Sequence, residues 1–124
     1  MPDDLQLTTH FKLSEFRCRC CGLVDPVTAA TMAEFLEDIR VDTGPLVIVS
    51  GQRCPSHNTA CGGKPHSWHL LGLAVDIFVA NDAARYRLVQ SLISNGCKGI
   101  GIGKSDIHAD RGTRVLPVLW TYYA

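Results

Sequence analysis

The chain has 124 residues, the size of one ordinary domain, and its twelve Lys and Arg balance twelve Asp and Glu. A net charge of zero argues against a global electrostatic hold on nucleic acid or anionic lipid. With 46% apolar and 19% charged residues the composition is that of a folded domain, and it contains no apolar run long enough for membrane insertion.

The first residues, Met1 to Leu7, are acidic and lack a basic-then-apolar leader, so synthesis in the cytoplasm without a signal peptide is expected. Residues 1–9 read as a loosely ordered lead-in to a single domain spanning 1–124, with a short helical turn at Ser14-Glu15-Phe16. Asp25 followed by Pro26 is a helix start, an N-cap side chain before a proline at the first helical position. Met32, Phe35, Leu36 and Ile39 recur at helical spacing and Gly44-Pro45 stops the run, which predicts a helix over 26–43 with one buried stripe. Leu46 to Val49 reads as a buried strand, and Ser50 to Ser67, rich in Gly, Pro, Ser, Asn and His, as a loop. Leu73 to Val79 is a second strand. Asn81 caps a second helix to about residue 95, with Tyr86, Val89, Leu92 and Ile93 facing inward and Gly96 closing it. Three short strands follow at Gly99 to Ile102, Asp106 to Ala109 and Val115 to Leu119. Helices and strands mix without regular alternation. The expected fold class is therefore α+β, two main helices on a small, mainly antiparallel sheet.

The chemistry concentrates in Ser67 through Asp76. An aspartate inside an apolar strand is costly unless something pairs with it, and His69, beyond a glycine turn, can meet Asp76 at one point. That pair alone fits either a hydrogen bond that orients the ring or two metal ligands. His108, in the otherwise apolar Ile107-His108-Ala109-Asp110, supplies a third donor. Two imidazoles and a carboxylate, with a fourth position left for water, form the pattern of a catalytic zinc site. Arg53, in Ser50-Gly51-Gln52-Arg53, leaves a strand end where a guanidinium can grip a carboxylate or carbonyl oxygen.

Together these segments resemble the zinc D-Ala-D-Ala carboxypeptidase family, metallopeptidases that include phage endolysins and cell-wall peptidases. The match runs through Ser50-Gly51-Gln52-Arg53, His57-Asn58, Gly62-Gly63, Ser67 through Asp76, and Ile107 through Asp110. Phe11, Ser14-Glu15-Phe16, the cysteine cluster and Gly22 fit its opening, so roughly residues 10 to 122 are covered. The resemblance implies the small α+β domain shared with the hedgehog signalling domain. It implies His69, Asp76 and His108 as ligands of one catalytic Zn2+, and Arg53 as partner of a substrate carboxylate or carbonyl. It also implies peptidoglycan stem peptides as substrate, action at the bacterial envelope, and a phage lysis or virion component with phage structural proteins as partners.

The family's general base lies three residues before the last histidine, a position held here by Ser105, with Asp106 one step nearer. On a regular strand Asp106 and Asp110 both share the face of His108. Asp106 is the preferred base and Asp110 the alternative. If neither functions, the domain binds cell wall, or serves in a virion, without cutting. His66 and His57 are each candidates to hydrogen-bond the reacting oxygen or to support a metal ligand, with His66 preferred, His10 reads as a surface residue, and Trp68 and Trp120 read as core packing. A Cys54–Cys61 disulfide would stiffen the loop between them. Cys18, Cys20 and Cys21 offer a second metal site, but C-x-C-C is not standard zinc-knuckle spacing, and disulfides or free thiols are the favoured reading.

Overall fold

A computed structural model describes residues 4–122. Helix α1, Pro26–Thr43, starts where Asp25 accepts hydrogen bonds from the Val27 and Thr28 amides, and ends at Gly44, whose φ of 82° is one a side chain resists. The strands are β1 (Ile48–Ser50), β2 (Ala74–Phe78), β3 (Gly99–Ile102), β4 (Asp106–Asp110) and β5 (Val118–Thr121). They form one sheet in the order β1-β2-β4-β3-β5, antiparallel throughout except for the β3–β5 pair. Helix α3, Asp82–Ser94, begins at Asn81, which accepts from the Ala84 amide. The α+β class, the largely antiparallel sheet and the two main helices are as expected.

Strand periodicity divides the sheet into two faces. Val75, Ile77, Ile100 and Ile107 join Met32, Phe35, Leu36 and Ile39 of α1 and Leu88 and Leu92 of α3 in one core. The alternate residues Asp76, Asp106, His108 and Asp110 lie on the opposite face, so the helices carry the stability and leave that face free for polar groups.

Several expectations are corrected. The strand expected over 46–49 is shorter and lies later, at β1, Ile48–Ser50, an edge strand with a register irregularity, and Val47 and Val49 are exposed because only one face of an edge is covered. The 50–67 loop contains a short helix, α2 (Pro55–Ala60), begun by a proline at its first position. In α3 the buried stripe runs through Leu88, Ser91 and Leu92, while Tyr86 and Ile93 point to solvent. The last strand is β5, Val118–Thr121, three residues later than expected at its start. Of the lead-in, residues 1–3 lie outside the described residues. From Asp4 onward the chain is tied down: the Leu13 amide donates to Leu5, Ser14 donates to Asp4, and the exposed His10 pairs with Glu37 on α1.

Candidate metal centre

Asp76 on β2 stands directly opposite His108 on β4. His69 reaches the same point from a 3-10 turn, Trp68–Leu71, that Ser67 caps through the His69 amide and that ends at Gly72, φ 75°. His69 Nε2, Asp76 Oδ1 and His108 Nδ1 lie 3.2 Å from one another.

The outer atoms of these residues decide what that convergence is. His69 Nδ1 lies 2.8 Å from the Gly51 carbonyl, an acceptor, so it carries the ring proton and Nε2 presents a lone pair. His108 Nε2 lies 2.9 Å from Asp110 Oδ2 and is protonated for the same reason, leaving Nδ1 as a lone pair. Asp76 Oδ2 takes a hydrogen bond from Arg53 Nη2 at 2.9 Å, which leaves Oδ1 facing the imidazoles. Three acceptors therefore meet with no proton between them, an arrangement that repels itself unless a cation sits inside. Tetrahedral zinc with bonds of about 2.0–2.1 Å holds its ligands roughly 3.3 Å apart. The donor set, its spacing and the acceptors behind each imidazole fit that ion.

Burial raises the Asp76 pKa, but the close approach of His108 and His69 outweighs it and holds the carboxyl well below the usual range. Asp110 is likewise pulled down to about 2, against burial, by Arg114 and His108. Arg114 grips it with two hydrogen bonds of 2.8 Å. With one oxygen behind His108 and both under Arg114, Asp110 is the carboxylate that orients the imidazole. Asp106 differs. Both carboxylates border the cavity, but Asp106 is only half-buried and accepts the Tyr122 hydroxyl at 2.6 Å. Burial and that acceptor raise the Tyr122 pKa, so the phenol remains a donor.

Arg53 is buried, with Nε on Ser50 Oγ at 3.1 Å, Nη1 on Asn58 Oδ1 at 3.3 Å and Nη2 on Asp76. These contacts fix Asp76, and Arg53 is also among the residues that line a cavity of about 580 Å³. Exposed His66 sits on the cavity rim. Trp68 and Trp120 wall the cavity rather than filling the core, Trp120 lying 5.2 Å from the His108 ring. The Cys54–Cys61 disulfide does not form: all six cysteines are free, Cys61 faces His57 on α2, and Cys54 turns toward Cys20. Arg114 and Tyr122 escaped the sequence reading. Arg114 lies beyond the strand that carries its partner, and only parity with Trp120 signals Tyr122.

Gly99 faces Asp110 across β3–β4, and a Cβ there would lie 2.2 Å from Asp110 Oδ1 and 2.5 Å from Arg114 Nε. Both atoms are locked in their ion pair and cannot give way cheaply. Gly99→Ala is therefore expected to weaken zinc affinity about 10–100-fold by displacing the group behind His108, which a competitive chelator titration reads directly.

Two imidazoles and one carboxylate around an open position, in a cleft with a separate carboxylate and two tryptophans, define the class: a metal-dependent hydrolase site. Residues 9–110 match the sequence model of the family described as Peptidase M15, and the chain belongs to that family of zinc metallopeptidases. The comparison with curated proteins finds no match.

Proposed function

We propose that this protein is a zinc-dependent peptidase that hydrolyses peptidoglycan stem peptides, as a D,D-carboxypeptidase or an endopeptidase, at the bacterial cell envelope. The observation that carries the reading is the meeting of three unprotonated donors at the floor of a cleft that also holds a carboxylate outside the donor set, Asp106. When bound, zinc supplies Lewis acidity to a carbonyl oxygen and lowers the pKa of water.

The chain's own residues do the rest. Asp106, steadied by the Tyr122 hydroxyl, accepts the proton of the attacking water and delivers it to the leaving amine nitrogen as the peptide C–N bond breaks. Arg53 holds Asp76 in place and turns its spare N–H groups toward a substrate carbonyl or carboxylate. His66 at the rim donates to the reacting oxygen. Trp68 and Trp120 offer flat apolar walls to the stem peptide and keep bulk water from the reacting bond.

Purified peptidoglycan, a free pentapeptide stem and a cross-linked dimer distinguish the activities when products are followed by mass spectrometry. Release of terminal alanine from the free stem marks a carboxypeptidase, and splitting of the dimer an endopeptidase. Either activity is expected to vanish with a chelator and return with zinc. Wall binding with no bond cut by the zinc-loaded protein would overturn the reading in favour of a docking module.

A further inference from the structure

A second set of metal donors stands apart from the cleft. The sulfurs of Cys18, Cys20, Cys21 and Cys54 all lie within 4.8 Å of one another. Three come from one tight turn. The Gly22 amide donates to the Cys18 carbonyl at 2.9 Å, and the Cys18 amide to the Leu23 carbonyl at 2.8 Å. Gly22 takes a φ of 79°, which lets the chain reverse there and gathers the three thiols. The fourth is that of Cys54, which follows β1 and is the N-cap residue of α2.

The two segments are braced before any metal is considered. The Gln52 amide donates to the Phe16 carbonyl at 3.0 Å, and Gly51 passes so close that a Cβ there would lie 2.6 Å from that oxygen. Arg19 spans the gap, donating to the carbonyls of Glu15, Arg17 and Ile48. The backbone N–H of Cys54 points at Cys18 Sγ, 3.3 Å away, as peptide amides commonly do toward a metal-bound thiolate. Cys20 Sγ and Cys54 Sγ are 3.6 Å apart. Tetrahedral zinc with bonds of about 2.3 Å separates its sulfurs by roughly 3.8 Å, so the observed spacing is that of ligands around one ion.

We propose that Cys18, Cys20, Cys21 and Cys54 bind a structural zinc ion through four thiolates, clamping the Cys18–Cys21 turn to the strand end that carries Arg53. Four protein ligands complete the tetrahedron and leave no position for water, so this ion holds structure and takes no part in hydrolysis. The thiols lose their protons on binding, which ties the site to a reducing or zinc-replete history of the protein. Its partner elements matter for function because Arg53, next to Cys54, holds the outer oxygen of Asp76. The proposal is independent of which peptide bond, if any, the cleft cuts.

The test is the metal content of the full chain, purified with reductant, beside its cobalt-substituted spectrum. Two zinc ions per chain are expected by elemental mass spectrometry, with one remaining in His69→Ala/His108→Ala. In the unaltered protein cobalt is expected to give thiolate-to-metal charge-transfer bands and the strong visible bands of a tetrahedral site. The thiolate charge-transfer bands should persist in the histidine variant and disappear in Cys20→Ser/Cys21→Ser, while visible bands from cobalt in the cleft remain in the cysteine variant. Should that cysteine variant fail to fold, the unaltered protein's spectrum still decides. No thiolate bands after cobalt is added to fully reduced protein, or bands unchanged in a folded cysteine variant, would overturn the assignment.

Discussion

Replacing Asp76 with alanine is expected to abolish metal binding at the cleft and to destabilise the fold even when compared metal-free with the parent. The two effects come from the two oxygens of one carboxylate. Oδ1 joins the imidazoles of His69 and His108, and Oδ2 pairs with Arg53 at 2.9 Å, both side chains about nine-tenths buried. Removing the carboxylate leaves a guanidinium enclosed with only Ser50 and Asn58 as partners. Breaking a buried ion pair from one side costs about 3–5 kcal/mol, which in a domain of this size lowers Tm by roughly 10–20 °C. His108→Ala removes a metal ligand too, but leaves Asp76 paired with Arg53 and Asp110 paired with Arg114, so its metal-free form should melt much closer to the parent. Melting both variants and the parent in excess chelator separates lost metal from lost pairing. In Asp76→Ala/Arg53→Met, where no charge is stranded, much of the stability should return while the cleft still binds no metal. An Asp76→Ala protein as stable as His108→Ala would refute the buried-pair account.

The convergence of His69, Asp76 and His108 was legible because an acid and two histidines among apolar strand residues are costly to bury unless they meet one another or a cation. Parity along a strand then placed Asp106 and Asp110 on the face of His108. Parity says nothing about what stands behind a side chain. The separate roles of the two aspartates depend on Arg114 and Tyr122, one beyond the turn after β4 and the other at the end of β5, and neither contact follows from local spacing. The same limit hid the cysteine cluster. Cys18, Cys20 and Cys21 are visible as a group, but the fourth sulfur comes from a residue 36 positions from Cys18, brought there by long-range contacts of Gly51 and Gln52 with Phe16 and of Arg19 with Ile48. Reading Cys54 with Cys61 followed proximity along the chain, which helix α2 defeats by holding Cys61 over His57 instead.

In the helices the misreadings were of width. α1 buries a broad stripe because it lies over the sheet and against α3, and its apolar residues announce that face. α3 buries only Leu88, Ser91 and Leu92, so the apolar residues Tyr86 and Ile93, at near-helical spacing, lie off the contact. Ser91 is inside because its hydroxyl reaches Asp42 on α1 at 2.6 Å, a polar core contact that hydrophobic periodicity does not register.

Asp106→Asn and Asp110→Asn are expected to fail in different ways, and the difference assigns the proton carrier. Asp106 is half-exposed in the cleft and accepts from Tyr122, whereas Asp110, at the same cleft, is buried with its oxygens on His108 and Arg114. An amide at 106 keeps the shape and the zinc but cannot take a proton from water, so kcat should fall by about 10²–10⁴ with metal content unchanged. An amide at 110 can still accept from His108 through its oxygen but loses the charge that steadies the imidazole and Arg114. Zinc affinity should then fall about 10–100-fold, and excess zinc should restore most of the rate per loaded molecule. Measuring kcat on stem peptide at saturating zinc beside a chelator-competition titration gives both quantities for both variants. If Asp110→Asn remains inactive when fully loaded while Asp106→Asn turns over normally, the proton passes through Asp110 and the carboxylate in the cleft serves only to bind.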